Sequence, residues 1–242
     1  MRPLIKALVF LPLAVEAFSS GNVPALGHNN IRAASSLAAI KEATYGMGCF
    51  WEPAESLLNI EGVVDTVAGY TGNANADKPP TYDNVCFGRE WVEGVRVTYD
   101  DEKISYQELL EAFFEAQNPK YGSRQYASVI FPHDEEQQMI ANEWIETNKS
   151  RQRKDGWTPG YTTIEPLTRF FQAEGYHQRY WQKQRPRFAA LFSLIAVSSG
   201  ALDSILPEAI QSSVATGANS LGLVLALYMI AERKLDAKVV EL

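Results

Sequence analysis

Cys49 sits in the run Tyr45-Gly46-Met47-Gly48-Cys49-Phe50-Trp51, with two glycines ahead of it and two aromatic residues behind. The apolar residues before it read as a strand, and the spacing after it reads as a helix. A thiol at that junction meets the unpaired N–H groups of the first helical turn and the positive end of the helix dipole, and both favour the thiolate. Phe50 and Trp51 add an apolar wall beside the sulfur. The chemistry such a sulfur offers is nucleophilic attack, with an inert buried cysteine as the competing reading. Tyr82, Glu93 and Tyr126 add two hydroxyl groups and a carboxyl group. Taken one at a time, they also read as a turn aromatic, a solvated strand edge and a core packer.

Composition narrows the field. Cys49 and Cys86 are the only cysteines in the 242 residues, which excludes a disulfide framework and a cysteine-based zinc site. The three histidines are widely scattered, so no bound metal is expected. A net charge of -7, from 22 basic and 29 acidic residues, argues against a protein built to neutralise nucleic-acid phosphates.

The elements that must position these groups follow from periodicity. Strands are predicted over Thr44 to Gly48, Val63 to Tyr70, Gly94 to Tyr99, Ser128 to Phe131 and Thr162 to Pro166. Helices are predicted over Trp51 to Asn59, Tyr106 to Ala116, Glu135 to Lys149 and Phe170 to Gln184. Ser105 and Glu108 form the capping box of the second helix. In the third, Met139, Ile140 and Trp144 are expected to face inward. No internal repeat is visible. The fold class expected is α+β, a ferredoxin-like α/β sandwich around a mixed sheet.

The ends differ from the middle. Residues 1–42 read as a leader: a basic start, a short apolar run from Ala7 to Val15, small residues at Val15 and Ala17, then an acid-poor stretch with serines. This resembles the two-part leaders that carry proteins by the secretory route into the plastids of algae with complex plastids; secreted or periplasmic export is the second reading. Residues 43–187 are ordinary globular material. Residues 188–242 form an apolar tail, with 19 residues from Phe188 to Leu206 carrying one charge and 18 from Val214 to Ala231 carrying none. Basic residues at both outer ends and Glu208 between suggest a helical hairpin, a candidate for membrane association.

At this point the chain resembles a known family. GCFW at Gly48 to Trp51 is similar to the signature of peptide-methionine sulfoxide reductase A. So are the GV-x-x-T-x-x-GYTG pattern at Gly62 to Gly72, PTY at Pro80 to Tyr82, Val85-Cys86-x-Gly88, ISY-x-x-LL at Ile104 to Leu110, Gln125-Tyr126-x-Ser128 and AE-x-YHQ-x-Y at Ala173 to Tyr180. The resemblance covers about 43–182, in the family's order.

The resemblance implies that Cys49 attacks the sulfur of methionine sulfoxide, that Phe50 and Trp51 receive its methyl group, and that Tyr82, Tyr126 and Glu93 bond its oxygen, the glutamate as proton donor. The substrate implied is the S epimer, free or in proteins, and the product on the enzyme is a sulfenic acid. No bound cofactor is implied. Recycling is expected from an external thiol, thioredoxin or glutathione with glutaredoxin, because the tail lacks the cysteines relatives use; Cys86 stays open as a resolving thiol. His177 is expected to be structural, packing the last helix.

Three departures weigh against simple transfer. The family's Gly-His pair before the glutamate is replaced by Arg89-Glu90-Trp91-Val92, which makes Glu90 a competing acid. The loop Asn118 to Arg124 lacks the family's aspartate. One extra residue follows GCFW, where Pro53 suits a first helical turn. A catalytically weakened, membrane-tethered binding protein or a thiol redox sensor is therefore the alternative reading.

Overall fold

The computed structural model describes residues 40–242. The predicted leader lies outside the described residues, apart from the last three of its 42.

Strand β1 (Ile40–Met47) feeds directly into helix α1 (Trp51–Leu58), followed by β2 (Val63–Thr71), α2 (Tyr82–Phe87), β3 (Val92–Asp100) and α3 (Tyr106–Ala116). The chain continues through β4 (Ser128–Phe131), α4 (Glu135–Asn148), β5 (Thr163–Ile164), β6 (Phe171–Gln172), α5 (Tyr180–Ser198), α6 (Glu208–Leu235) and β7 (Val240–Glu241). The strands form one seven-stranded mixed sheet in the order β5-β4-β1-β3-β2-β6-β7. All neighbouring pairs are antiparallel except β4 with β5. This is the expected α+β class, with an apolar helical hairpin at its C-terminal end.

Alternation along the strands decides what faces the helices. Ala43, Tyr45 and Met47 of β1, Val95, Val97 and Tyr99 of β3, and Ala68 and Tyr70 of β2 all join the main core, with α3 supplying Leu109, Leu110, Phe113 and Phe114. Tyr45 stacks on Phe113 with ring centroids 4.9 Å apart. Fully burying one such side chain contributes about 1.5–3 kcal/mol. The capping box holds: Ser105 N–H donates to Glu108 Oε2 at 2.8 Å, and Glu108 N–H to Ser105 Oγ at 3.2 Å.

On the opposite face Gly46, Gly94 and Gly69 are register neighbours across β1, β3 and β2. A Cβ on Gly69 would stand 2.4 Å from the Phe170 ring, so the bare strand there makes the seat for Phe170. Arg96 covers that ring at 4.4 Å.

Two predictions fail here. The helix expected over Phe170 to Gln184 begins only at Tyr180; Phe171–Gln172 is instead a strand on the free edge of β2, where its backbone groups find partners. Ala173 N–H donates to Ala68 O at 2.9 Å, continuing that pairing. Met139 is 66% exposed rather than inward, and Gln137, Ala141 and Trp144 are the buried face of α4. Helix α2 and strand β7 were not legible in the periodicity.

The C-terminal helices fold back on the rest of the unit. Arg187 donates to both carboxylate oxygens of Glu232, and Lys183 Nζ lies 3.5 Å from Glu232. Gly175 N–H donates to Asp236 O at 3.1 Å, and β7 pairs with β6. A Cβ on Gly222 of α6 would stand 3.8 Å from Leu191 and 3.9 Å from Leu194 of α5.

Candidate active site

Gly48 has φ +77°, and a Cβ there would stand 1.8 Å from Asn118 O. Only glycine fits, and the sharp turn it permits aims Cys49 away from β1 while Phe50 and Trp51 start α1. Asn118 N–H donates to Met47 O at 2.7 Å, so the loop 118–126 is fastened to the strand end that carries the thiol.

Glu93 is brought in by strand alternation. It lies on the core side of β3, two residues ahead of Val95 and opposite Tyr70 of β2, and is only 2% exposed. Glu90 lies outside, exposed, accepting from Asn73 Nδ2 at 3.2 Å. The carboxyl group of Glu93 is held on both oxygens: Gln125 Nε2 donates to Oε1 at 2.6 Å and Phe50 N–H to Oε2 at 3.2 Å. Burial pushes its pKa up to about 7, against the pull of those two donors and of Lys120.

Tyr82 opens α2 behind the capping box formed by Thr81 and Asn84. Its hydroxyl is raised far above the ordinary range by burial and by its hydrogen bond with Cys86. Tyr126 is pushed up to about 12 by burial and by the nearby Glu93, Cys49 and Cys86. Both tyrosines therefore stay protonated donors at any physiological pH. Tyr82 and Tyr126 both feel the charge of Glu93, as does Cys49, so the four groups form one cluster, as the sequence order alone could not show.

The thiol behaves differently from the expectation. Burial raises the Cys49 pKa above its usual value, and the Trp51 N–H at the helix start and the Lys120 charge offset this only in part. Desolvation of the charged form outweighs the helix end. Cys49 is held as a thiol whose proton must leave in the reaction.

Phe50 is 1% exposed, with its ring packed against Tyr70 and His177. Trp51 is half-buried and stacks face to face on Tyr180, with centroids 3.8 Å apart. Its indole N–H donates to His177 Nδ1 at 2.8 Å. Indole only donates, so Nδ1 accepts and the neutral imidazole carries its proton on Nε2. Burial first, then the Arg233 and Lys183 charges, lower the pKa of His177 to about 3. His177 packs against Phe50, Trp51 and Tyr82, beside the start of α5. Behind it, buried Glu174 accepts from the Tyr70 hydroxyl at 2.8 Å.

Sequence reasoning passed over Gln125 and Lys120. Gln125 is visible only as half of a Gln-Tyr pair, and its place on Glu93 depends on the pairing of Glu93 N–H with Gln125 O at 2.9 Å. Lys120 Nζ lies over the Tyr126 ring at 4.6 Å. Cys86 contacts the same cluster, with Gln125 Nε2 3.6 Å from its sulfur. Among the described residues no group of three or more His, Cys, Asp or Glu side chains could hold a metal ion.

An α+β sheet that gathers a half-buried thiol, a buried carboxyl group and two tyrosine hydroxyls into one cluster has the groups that a thiol-dependent oxidoreductase needs. A sequence model described as "Peptide methionine sulfoxide reductase" matches residues 41–198, and the chain belongs to that family. The peptide methionine sulfoxide reductase MsrA of Methanoculleus marisnigri is 39% identical over 158 residues, 60% of this chain and 92% of that protein. The MsrA of Rhodospirillum centenum is 35% identical over 182 residues, 72% of this chain and 82% of that one. The solved methionine sulfoxide reductase A of Corynebacterium diphtheriae matches with a TM-score of 0.51 at 30% identity, covering 60% of this chain and 74% of that one.

Proposed function

We propose that this protein reduces the S epimer of methionine sulfoxide by transferring its oxygen to Cys49. The observation that carries the reading is the paired grip on Glu93, a carboxyl group 2% exposed and held beside Phe50 N–H, next in sequence to the thiol. Oxide cannot leave sulfur near neutral pH, so the oxygen must be protonated as the thiol attacks. In this reading Glu93 gives its proton to the sulfoxide oxygen, Cys49 forms the S–S bond to the substrate sulfur, and the Cys49 proton restores Glu93. Tyr82 and Tyr126 donate to the oxygen while its charge develops, from fixed positions that need no reorganisation. Trp51, braced by Tyr180 and His177, takes the substrate methyl group over an apolar floor that includes Phe50. The hydroxyl group then moves to Cys49 as methionine leaves, so that one sulfoxide and one thiol become one thioether and one sulfenic acid.

An external dithiol or glutathione attacks the sulfenic acid, releasing water and forming a mixed disulfide that a second thiol resolves. The test supplies the purified chain with each epimer of methionine sulfoxide and dithiothreitol. Turnover of the S epimer alone, lost in Cys49→Ser, supports the reading; equal turnover in Cys49→Ser overturns it.

We infer in addition that the tail associates with a membrane. Among the described residues one helix, Glu208–Leu235, is long and apolar enough to cross a bilayer, with 11% of its apolar window buried. Leu221, Leu223, Val224, Leu227 and Ile230 lie more than half exposed on it. Arg187, Arg233 and Lys234 lie at the hairpin base, where headgroups would meet them. Release from membranes by alkaline carbonate would contradict a spanning arrangement.

A further inference from the structure

Lys120 stands beside the Cys49 cluster, over the Tyr126 ring, and the proposed chemistry gives its charge no task. It is exposed, and its backbone is pinned on two sides. Asn118 N–H is bound to Met47 O just ahead of Cys49, and Lys120 N–H donates to Tyr126 O at 2.9 Å. The ammonium group lies over the ring of Tyr126, 4.6 Å from its centroid. Among the described residues no carboxylate lies within ion-pair distance of it, and the loop 118–124 contains no acidic residue. Its charge nonetheless acts on both reacting groups, Cys49 and Glu93. On Cys49 it opposes the charges of Glu93 and Glu52.

We propose that Lys120 selects methionine sulfoxide whose own α-carboxylate is free, the free amino acid or a C-terminal residue, over the same residue inside a peptide chain. This rests on the reductase reading above and adds to it the substrate class. With the sulfoxide oxygen at the Tyr126 hydroxyl, the methionine side chain is a short aliphatic stem, and its α-carboxylate emerges at the rim. The ring that bonds the oxygen at one end thus carries a fixed cation over its face. An internal peptide residue presents a neutral carbonyl there and forgoes the charge interaction. Because the ammonium has no protein carboxylate to release, binding a substrate carboxylate breaks no ion pair.

The experiment uses the full chain in detergent with dithiothreitol and three substrates: free methionine sulfoxide, N-acetyl methionine sulfoxide, and its uncharged N-methylamide. The readout is the ratio of kcat/KM between the N-acetyl acid and the amide, measured within each variant so that any general change in reactivity cancels. A rim-exposed charge pair sets the expected scale at about 5-fold in favour of the acid, expressed mainly in KM. The ratio should fall towards one in Lys120→Met, persist in Lys120→Arg, and shrink with added salt. Free methionine sulfoxide shares the carboxylate, and its rank beside the N-acetyl acid separates the free amino acid from a C-terminal residue as the source. A ratio of one in the wild type, or an unchanged ratio in Lys120→Met, overturns the assignment of Lys120 and leaves the reductase reading standing. Failure of the wild type on all three substrates removes the reductase reading itself, and this inference with it.

Discussion

Glu93 is buried with its pKa raised from the ordinary 4.5 to about 7, and that must be visible in the stability of the whole protein. A carboxyl group that binds its proton more tightly when folded lowers stability as pH rises through the window between the two values. The unfolded chain has lost the proton above 4.5, while the folded chain keeps it to about 7. Stability therefore falls from pH 4.5 to 7 and levels off above. Each tenfold in proton affinity is about 1.4 kcal/mol, so the full effect is about 3 kcal/mol. Between pH 5.5 and 8.5 the share from Glu93 is about 2 kcal/mol. Glu93→Gln removes the titration, and Gln125 can turn its amide to keep a hydrogen bond to the new side chain. Urea unfolding of wild type and Glu93→Gln at the two pH values gives the four numbers needed. The expected result is a pH-dependent loss smaller by about 2 kcal/mol in the variant. An identical loss in both proteins would refute the claim that Glu93 is held protonated by burial, and with it the source of the proton.

Other perturbations test the scaffold. Gly48→Ala places a side chain at φ +77° and 1.8 Å from Asn118 O, so both the backbone and the loop must shift. The strain alone is about 1–2 kcal/mol, and moving the thiol by an ångström should lower kcat/KM by roughly a hundredfold, read by thermal unfolding and steady-state kinetics. Leu109→Ala empties a fully buried site between α3 and the sheet and should cost about 3 kcal/mol in urea unfolding, with little change in KM. Glu232→Ala leaves Arg187 and Lys183 facing each other without their carboxylate, and the residues after Leu235 should become the earliest site of limited proteolysis.

Much of the site was legible because its chemistry is carried by local order. The Gly-Cys-Phe-Trp run and the strand-to-helix junction could be read from neighbours in sequence. The choice between Glu93 and Glu90 stayed open in the sequence; it is decided by β3 starting at Val92, two residues before the predicted Gly94, which puts Glu93 on the face of Val95, Val97 and Tyr99. What was not legible depends on partners distant in sequence. Phe171 becomes a strand because the edge of β2 offers it hydrogen bonds, although its neighbours suit a helix. The elevated thiol pKa of Cys49 arises from burial that only the folded chain creates. Gln125 and His177 reach Glu93 and Trp51 across 32 and 126 residues, and no local pattern reports such a contact.

In the proposed reaction oxygen moves from the substrate to one sulfur atom. The most direct measurement mixes the reduced chain with excess S-methionine sulfoxide in the absence of any added thiol, then counts methionine formed and locates the oxidised residue by mass spectrometry. The expected result is one methionine per chain and one added oxygen, or its dimedone adduct, on Cys49. Methionine formed with Cys49 unmodified, or a burst that survives in Cys49→Ser, would contradict it.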